Sequence, residues 1–284
     1  MTRAAWLVLC LVLATTGCAR SPTTTPPPVR WPRTGVEEVV SASLAGDLRQ
    51  FQPPTETTIA TVVGLVQNAL AGEDVSPPAR LELTHPRSEA GDISVLTERH
   101  RRQGLGVYVM RTGAGSPARL VVEVPHPRAD LYTEIVGPLL FDTLHADALL
   151  VASTHRSIAD MAHQPDTVFA GVDAAIVGAR TVVVQVHGFD ESRHDGGAQV
   201  VLSSTEMPAS PLVRRLADKL ADAGFNTCVY DGSNCKSLAG TRNIEAAHAR
   251  SVGAEFVHME LAAGVRSDAQ ERERLAEALA SVLG

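Results

Sequence analysis

Three apolar stretches of this chain end in histidine. His126 follows "LVVEVP", His155 follows "ALLVAST" and His187 follows "TVVVQV". Imidazole nitrogens are metal ligands, and the carboxyl ends of strands in an open α/β sheet form the rim where ligands bind. Strands far apart in the sequence can therefore bring these histidines to one crevice. His126, His187 and a nearby carboxylate would make a three-ligand site with one position left for water. Two acids follow His126: Asp130 four residues on, and Glu134 eight residues on. With a helix starting near Pro127, both face the side of His126. Asp130, nearer the strand end, is the expected ligand. Glu134 is the alternate ligand, or a partner that orients an imidazole; either acid could instead complement a helix N-terminus.

Chemistry at such a site needs a proton acceptor and a grip on the substrate. The segment "EFVHMEL" puts Glu260 in a strand pattern, with Phe256 and His258 pointing the same way. A carboxylate there is costly to bury without a task, and hydrolytic zinc sites use a general base of this kind. Arg156, beside His155, can hold a substrate carboxylate or stabilise an oxyanion; Arg266 and Asn243 are further candidates for substrate binding, and the plainer reading of each is an ordinary surface group. "SIADMAHQPD" sets Asp160 and His163 one helical turn apart, which reads as a solvated face or as a pair that supports the metal ligands from behind. "FDESRHDGG" reads as a polar loop over the site. No G-x-S-x-G elbow and no G-x-x-x-x-G-K-[ST] loop occurs, which argues against a serine hydrolase of that type and against a phosphate-binding loop.

The elements that must carry these residues alternate along the chain. Strands are expected at "RLELTH", "ISVLTERH", "LGVYVMRTG", "ARLVVEVPH", "ADALLVAST", "TVVVQVHGF", "AQVVLSS", "FNTCVYD" and "AEFVHMEL". Helices are expected at 57–72, "LYTEIVGPLLFDTLH", "SPLVRRLADKLADAG", "NIEAAHARSVG" and "SDAQERERLAEALASVLG", with Ser210 as N-cap and Gly224 as stop of the third. Strands without clean alternation, interleaved with helices, argue for an α/β fold whose central sheet is covered on both faces. With 284 residues and 44% hydrophobic content, the chain can bury a full core. Its 25 basic and 32 acidic residues give a net charge of −7. Lys219 and Lys236 are its lysines, and the arginines are scattered, so no nucleic-acid partner is expected.

The N-terminal "MTRAAWLVLCLVLATTGCARS" has one basic residue, an apolar run about half the ~20 residues a membrane span requires, and small residues before Cys18. It reads as an export signal. Thr15–Cys18 resembles the bacterial lipobox, with Thr15 where that box usually has leucine. Residues 1–17 are thus expected to be a lipoprotein signal peptide and Cys18 a lipid-bearing (palmitate) anchor; the plainer reading is a secretion signal with an incidental cysteine. Residues 18–36 form a Pro/Thr-rich tether, and 37–284 the α/β domain, outside the cytoplasmic membrane. Cys228 and Cys235 flank the turn-rich "VYDGSN" and are expected to form a disulfide in preference to a thiolate metal pair, whose usual spacing is shorter.

Taken together, "VPHPRADLYTE", "LLVASTHR", "VVVQVHGF" and "FVHMEL" resemble the sites of zinc amidohydrolases related to the zinc carboxypeptidases, a group that includes N-formylglutamate amidohydrolase and phage-type poly-γ-glutamate hydrolase. The resemblance implies a single domain with a central mixed sheet flanked by helices, a phosphorylase/hydrolase-like fold holding Zn2+. By position it matches His126 and His187 to the metal histidines, Asp130 to the carboxylate, Glu260 to the base and Arg156 to a substrate arginine. The carboxypeptidase branch spaces its ligands H-x-x-E, and this chain does not. The function implied is hydrolysis of amide or peptide-like bonds in small peptide-like or acylamino-acid substrates, by a monomer held at the cell membrane through Cys18. The competing class is a non-catalytic metal- or ligand-binding envelope lipoprotein, which has no need of a base at Glu260.

Overall fold

In the computed structural model, residues 35–86, 91–100, 103–194 and 196–284 are described. The expected signal peptide, Cys18 and nearly all of the expected tether lie outside them. The last two tether positions, Gly35 and Val36, begin a helix instead. In chain order the elements are α1 (Gly35–Ser43), α2 (Glu56–Ala71), β1 (Leu81–Thr84), β2 (Ile93–Glu98), β3 (Val107–Arg111), β4 (Leu120–Val124), α3 (Thr133–Thr143), β5 (Ala148–Val151) and α4 (Val168–Ile176). They continue with β6 (Val182–Gly188), β7 (Val200–Ser203), α5 (Pro211–Asp222), β8 (Thr227–Val229), α6 (Ile244–Val252), β9 (Glu255–Leu261), α7 (Ala263–Ser267) and α8 (Ala269–Leu283). All the expected strands form. The helices α1, α4 and α7 are additions. In α4 the apolar residues Val168, Phe169, Val172 and Ile176 are buried with few polar residues between them, so little amphipathic contrast marks the segment.

The strands make one mixed nine-stranded sheet in the order β1-β2-β3-β5-β4-β6-β9-β7-β8. Its centre is parallel, with β5, β4, β6 and β9 side by side, and antiparallel pairs flank it. Alternation sends neighbouring residues to opposite faces. Val122, Val124, Val184 and Val186 enter the core under α1, α3, α5 and α8, while Val121, Val183 and Phe256 enter the core under α2, α4 and α6. A single α/β domain with helices on both faces follows. Among the described residues no helix is long and apolar enough to cross a membrane.

This topology makes a crevice at one end of β4. The chain leaves β4 through α3 to reach β5 on one side, then leaves β5 through α4 to reach β6 on the other side of β4. Helices α3 and α4 belong to different faces, so connections from adjacent strands part there, the arrangement that opens a ligand site at the strand carboxyl ends. His126 stands two residues past the end of β4.

Candidate metal centre

The turn between β4 and α3 brings His126 and Asp130 together. The backbone N–H of Asp130 donates to the carbonyl of His126 at 2.9 Å, closing one turn. Arg128 and Tyr132 take left-handed φ of 67° and 72°, which stops that turn from running on as a helix. The helix expected from Pro127 therefore begins only at Thr133, yet the four-residue spacing still brings Asp130 to His126. Asp130 Oδ2 also accepts the backbone N–H of Gly188 at 3.2 Å, tying the turn to the end of β6.

Three atoms converge here. His126 Nδ1 and His187 Nδ1 are 3.2 Å apart. Asp130 Oδ2 lies 3.4 Å from the first and 3.7 Å from the second. Ligand atoms about 2.0–2.2 Å from a tetrahedral ion are about 3.3–3.6 Å from one another, so the spacing fits. All three residues are buried. The outer nitrogens are engaged elsewhere: His126 Nε2 faces Asp160 Oδ1 at 2.8 Å, and His187 Nε2 faces Gln185 Oε1 at 2.7 Å. Both partners are acceptors, so each Nε2 carries its proton and each Nδ1 can turn a lone pair inward. Two inward lone pairs and a carboxylate repel unless something positive lies between them. A proton on His126 Nδ1 serves that purpose, and a divalent cation serves it better.

The electrostatics agree. Burial pushes His187 down to about 4, against the opposing effect of a hydrogen bond accepted by Asp130. Burial would also depress His126, but hydrogen bonds to Asp130 and Asp160 overcome it and raise its pKa. Burial would raise both Asp130 and Asp160, and their histidine partners hold them well below the usual carboxylate range instead. Asp130 is thus an anion ready to ligate.

Glu260 pairs in register with His187 on the neighbouring β9, and its Oε2 is buried with no hydrogen-bond partner. Burial, then the charge of Asp130, pushes it up to about 8. His258, two residues earlier, stacks on His187 with centroids 4.4 Å apart, and its Nδ1 is also buried and unpartnered. His187, His258 and Glu260 form a second group of mutually close ligand-capable atoms. Arg156 sits at the lip, half-exposed, with Nη1 3.4 Å from Asp130 Oδ1 and Nη2 3.5 Å from Asp160 Oδ2.

Other expectations need correction. Arg266 is no open substrate arginine: it donates through Nε to Leu261 O, through Nη1 to Leu131 O and through Nη2 to Phe189 O. A Cβ at Gly188 would meet this guanidinium at 2.4 Å, so a side chain there would displace Arg266 from these carbonyls. Asn243 is buried as the N-cap of α6 and bonds Gln185, so it is closed to substrate. Glu134, in the first turn of α3, belongs to neither group of ligand-capable residues. His155 does not join the cluster; four residues past β5, it bonds Ser157 at 2.8 Å. Asp160, read as part of a solvated face, is the partner of His126. In the expected loop "FDESRHDGG", His194 approaches a residue just past the disulfide, with its Nδ1 3.4 Å from Ser237 Oγ. Cys228 and Cys235 are bonded.

Four buried groups escaped sequence reasoning. Gln185 and Glu123 occupy facing positions on β6 and β4, and Glu245 and Asp173 approach from α6 and α4. Gln185 Nε2 donates to Glu123 Oε2 at 2.9 Å and to Glu245 Oε2 at 3.3 Å. The argument that singled out Glu260 as a carboxylate inside a strand applies equally to Glu123 in "LVVEV".

No protein-family model matches the chain, and no curated protein matches it in sequence. Solved structures with a similar fold include gene product Atu2144 from Agrobacterium tumefaciens, at 15% identity and TM-score 0.45, covering 60% of this chain and 90% of that one. A bacteriophage poly-gamma-glutamate hydrolase follows at 14% and 0.40, covering 57% and 82%. The zinc-free form of YndL follows at 12% and 0.43, covering 73% and 91%. At such identities the likeness concerns the fold, and the chemistry rests on the chain's own residues.

Proposed function

We propose that this chain is a zinc-dependent hydrolase of amide or peptide-like bonds in carboxylate-bearing substrates, tethered at the cell envelope through Cys18. The observation that carries the reading is the inward pair of Nδ1 atoms 3.2 Å apart beside the Asp130 carboxylate, with both outer nitrogens engaged. His126, Asp130 and His187 would hold the ion, and their nitrogen and oxygen donors suit zinc. Zinc there supplies a Lewis acid that polarises an amide carbonyl and makes water more acidic.

The chain's residues do the rest. Glu260 accepts a proton from the attacking water at its unpartnered Oε2 and returns it to the departing nitrogen. Its pKa of about 8 lies near the working range, and a cation beside it draws it lower. Arg156, anchored by Asp130 and Asp160, keeps further N–H groups for a substrate carboxylate or the developing oxyanion. A cavity of about 390 Å³ is lined by Phe189, His194, Val201, Lys236 and Leu238, and of these Val201 pairs in register with Glu260. That volume suits a small ligand, and Lys236 adds a positive charge at its wall. N-acylated amino acids, γ-glutamyl chains and peptidoglycan fragments all have the required chemistry. The envelope location and lipid anchor are drawn from the sequence of residues 1–36.

Elemental analysis of the purified protein and of H126A and H187A tests the centre, and hydrolysis of those substrate classes by E260Q tests the base. The wild type should carry about one zinc per chain, each histidine variant should lose it, and E260Q should keep zinc while losing about 10²–10⁴-fold in rate. Full zinc retention in both histidine variants would overturn the assignment. Zinc with no turnover of any such substrate would favour the inert metal-binding reading.

A further inference from the structure

We infer that Asn243, the N-cap of α6, sets which nitrogen of His187 faces the metal site, acting through Gln185 as a positioning residue. This rests on the metal-site reading above and adds what orients one of its ligands.

The chain of reasoning starts at a helix end. The first N–H groups of a helix lack partners within it, and an asparagine N-cap satisfies one of them with its side-chain oxygen. Asn243 Oδ1 accepts the backbone N–H of Ala246 at 2.9 Å. With the oxygen so committed, the amide nitrogen is what Asn243 presents to Gln185, and it donates to Gln185 Oε1. Gln185 must therefore turn its oxygen toward Asn243 and His187 and its NH2 toward Glu123 and Glu245. An oxygen 2.7 Å from His187 Nε2 demands a proton on that nitrogen, which leaves the Nδ1 lone pair for the ion.

The carboxyls on the other side of Gln185 do not make this choice. Burial first, and then the charge of Asp173 on Glu123 and of Glu123 on Glu245, raise both above the ordinary range. A protonated carboxyl can donate or accept, so it tolerates either orientation of the Gln185 amide. Asn243, fixed by the helix backbone, tolerates one. All five side chains, His187 included, are buried, so water does not readily substitute for a partner.

Two variants test this in the full chain. N243S keeps a good N-cap but removes the donor to Gln185. Q185M keeps the side-chain length but removes the acceptor facing His187. In metal-free wild type, 15N NMR of the imidazoles should place the His187 proton on Nε2. Both variants should show Nδ1–H populated, and competition titration should show zinc affinity about 10–100-fold lower. A merely structural role would lower the melting temperature and leave the tautomer alone. If both variants keep the proton on Nε2 and bind zinc as wild type does, the inference is overturned; should one variant fail to fold, the other decides by the same two readouts. If wild type binds no zinc, the metal reading falls instead, and the tautomer measurement still judges Asn243.

Discussion

The buried acids beneath the His126–Asp130–His187 cluster are in a quite different state from Asp130. Asp130 is kept anionic by two histidines, whereas Glu245, pressed by burial and by the charge of Glu123, is pushed up to about 8. The consequence for stability has a definite sign. Between the ordinary glutamate range and about pH 8, folded Glu245 holds a proton that the unfolded chain has released. Its contribution to stability is thus complete at low pH and is lost as pH rises through that window. For the metal-free protein, the unfolding free energy from urea titrations should fall with pH across it, by at most about 1.4 kcal/mol per pH unit for each such proton. E245Q should flatten that slope; an unchanged slope would show that Glu245 titrates normally.

At the scale of elements, Arg266 acts as a clamp. Its donors reach the carbonyl of Leu131 in the β4–α3 turn, of Phe189 just past β6, and of Leu261 at the end of β9. Those segments carry or adjoin Asp130, His187 and Glu260. A charged donor to buried carbonyls contributes more than a neutral one, and its removal strands the acceptors. R266M should cost about 3 kcal/mol or more in denaturant unfolding, and it should weaken metal binding because the turn bearing Asp130 loses an anchor. Stability within a few tenths of a kcal/mol of wild type would show the clamp to be dispensable.

At the scale of the molecule, one face of the sheet is apolar across β4, β6 and β9, while the other changes from apolar to polar along the same strands. Val121, Val183 and Phe256 give way to Glu123, Gln185 and His258, and then to His187 and Glu260. The centre thus rests on a core that packs α2, α4 and α6. Farther out, the Cys228–Cys235 bond closes a short loop, with a sequence separation of 7. Closing so short a loop is worth about 2.5 kcal/mol in the chain-entropy account. The double variant C228S/C235S should lose roughly that amount in thermal or urea unfolding and leave zinc affinity unchanged, since neither cysteine touches the three ligands. A change in zinc affinity would show that the loop and the centre are coupled.

The pattern of apolar runs was enough to place the strands, because a run buried on both faces announces itself whatever its neighbours are. The types of residue at strand ends pointed to His126, His155 and His187, since few side chains bind metals and these stand where strands stop; the fold brings His126 and His187 together with Asp130 and leaves His155 apart. What each histidine's second nitrogen does was beyond reach. Asp160 stands 34 positions from His126, and Asn243 stands 58 positions from Gln185; no local spacing signals such a pairing. Arg266 and Asn243 looked like substrate groups because a lone cation or amide reads the same whether it faces solvent or a backbone carbonyl. Hydrogen-bond partners across a sheet are set by strand order and register, and these arise only when distant segments pack; so the residue types proposed as ligands can be read along the chain, while their convergence and orientation belong to the fold.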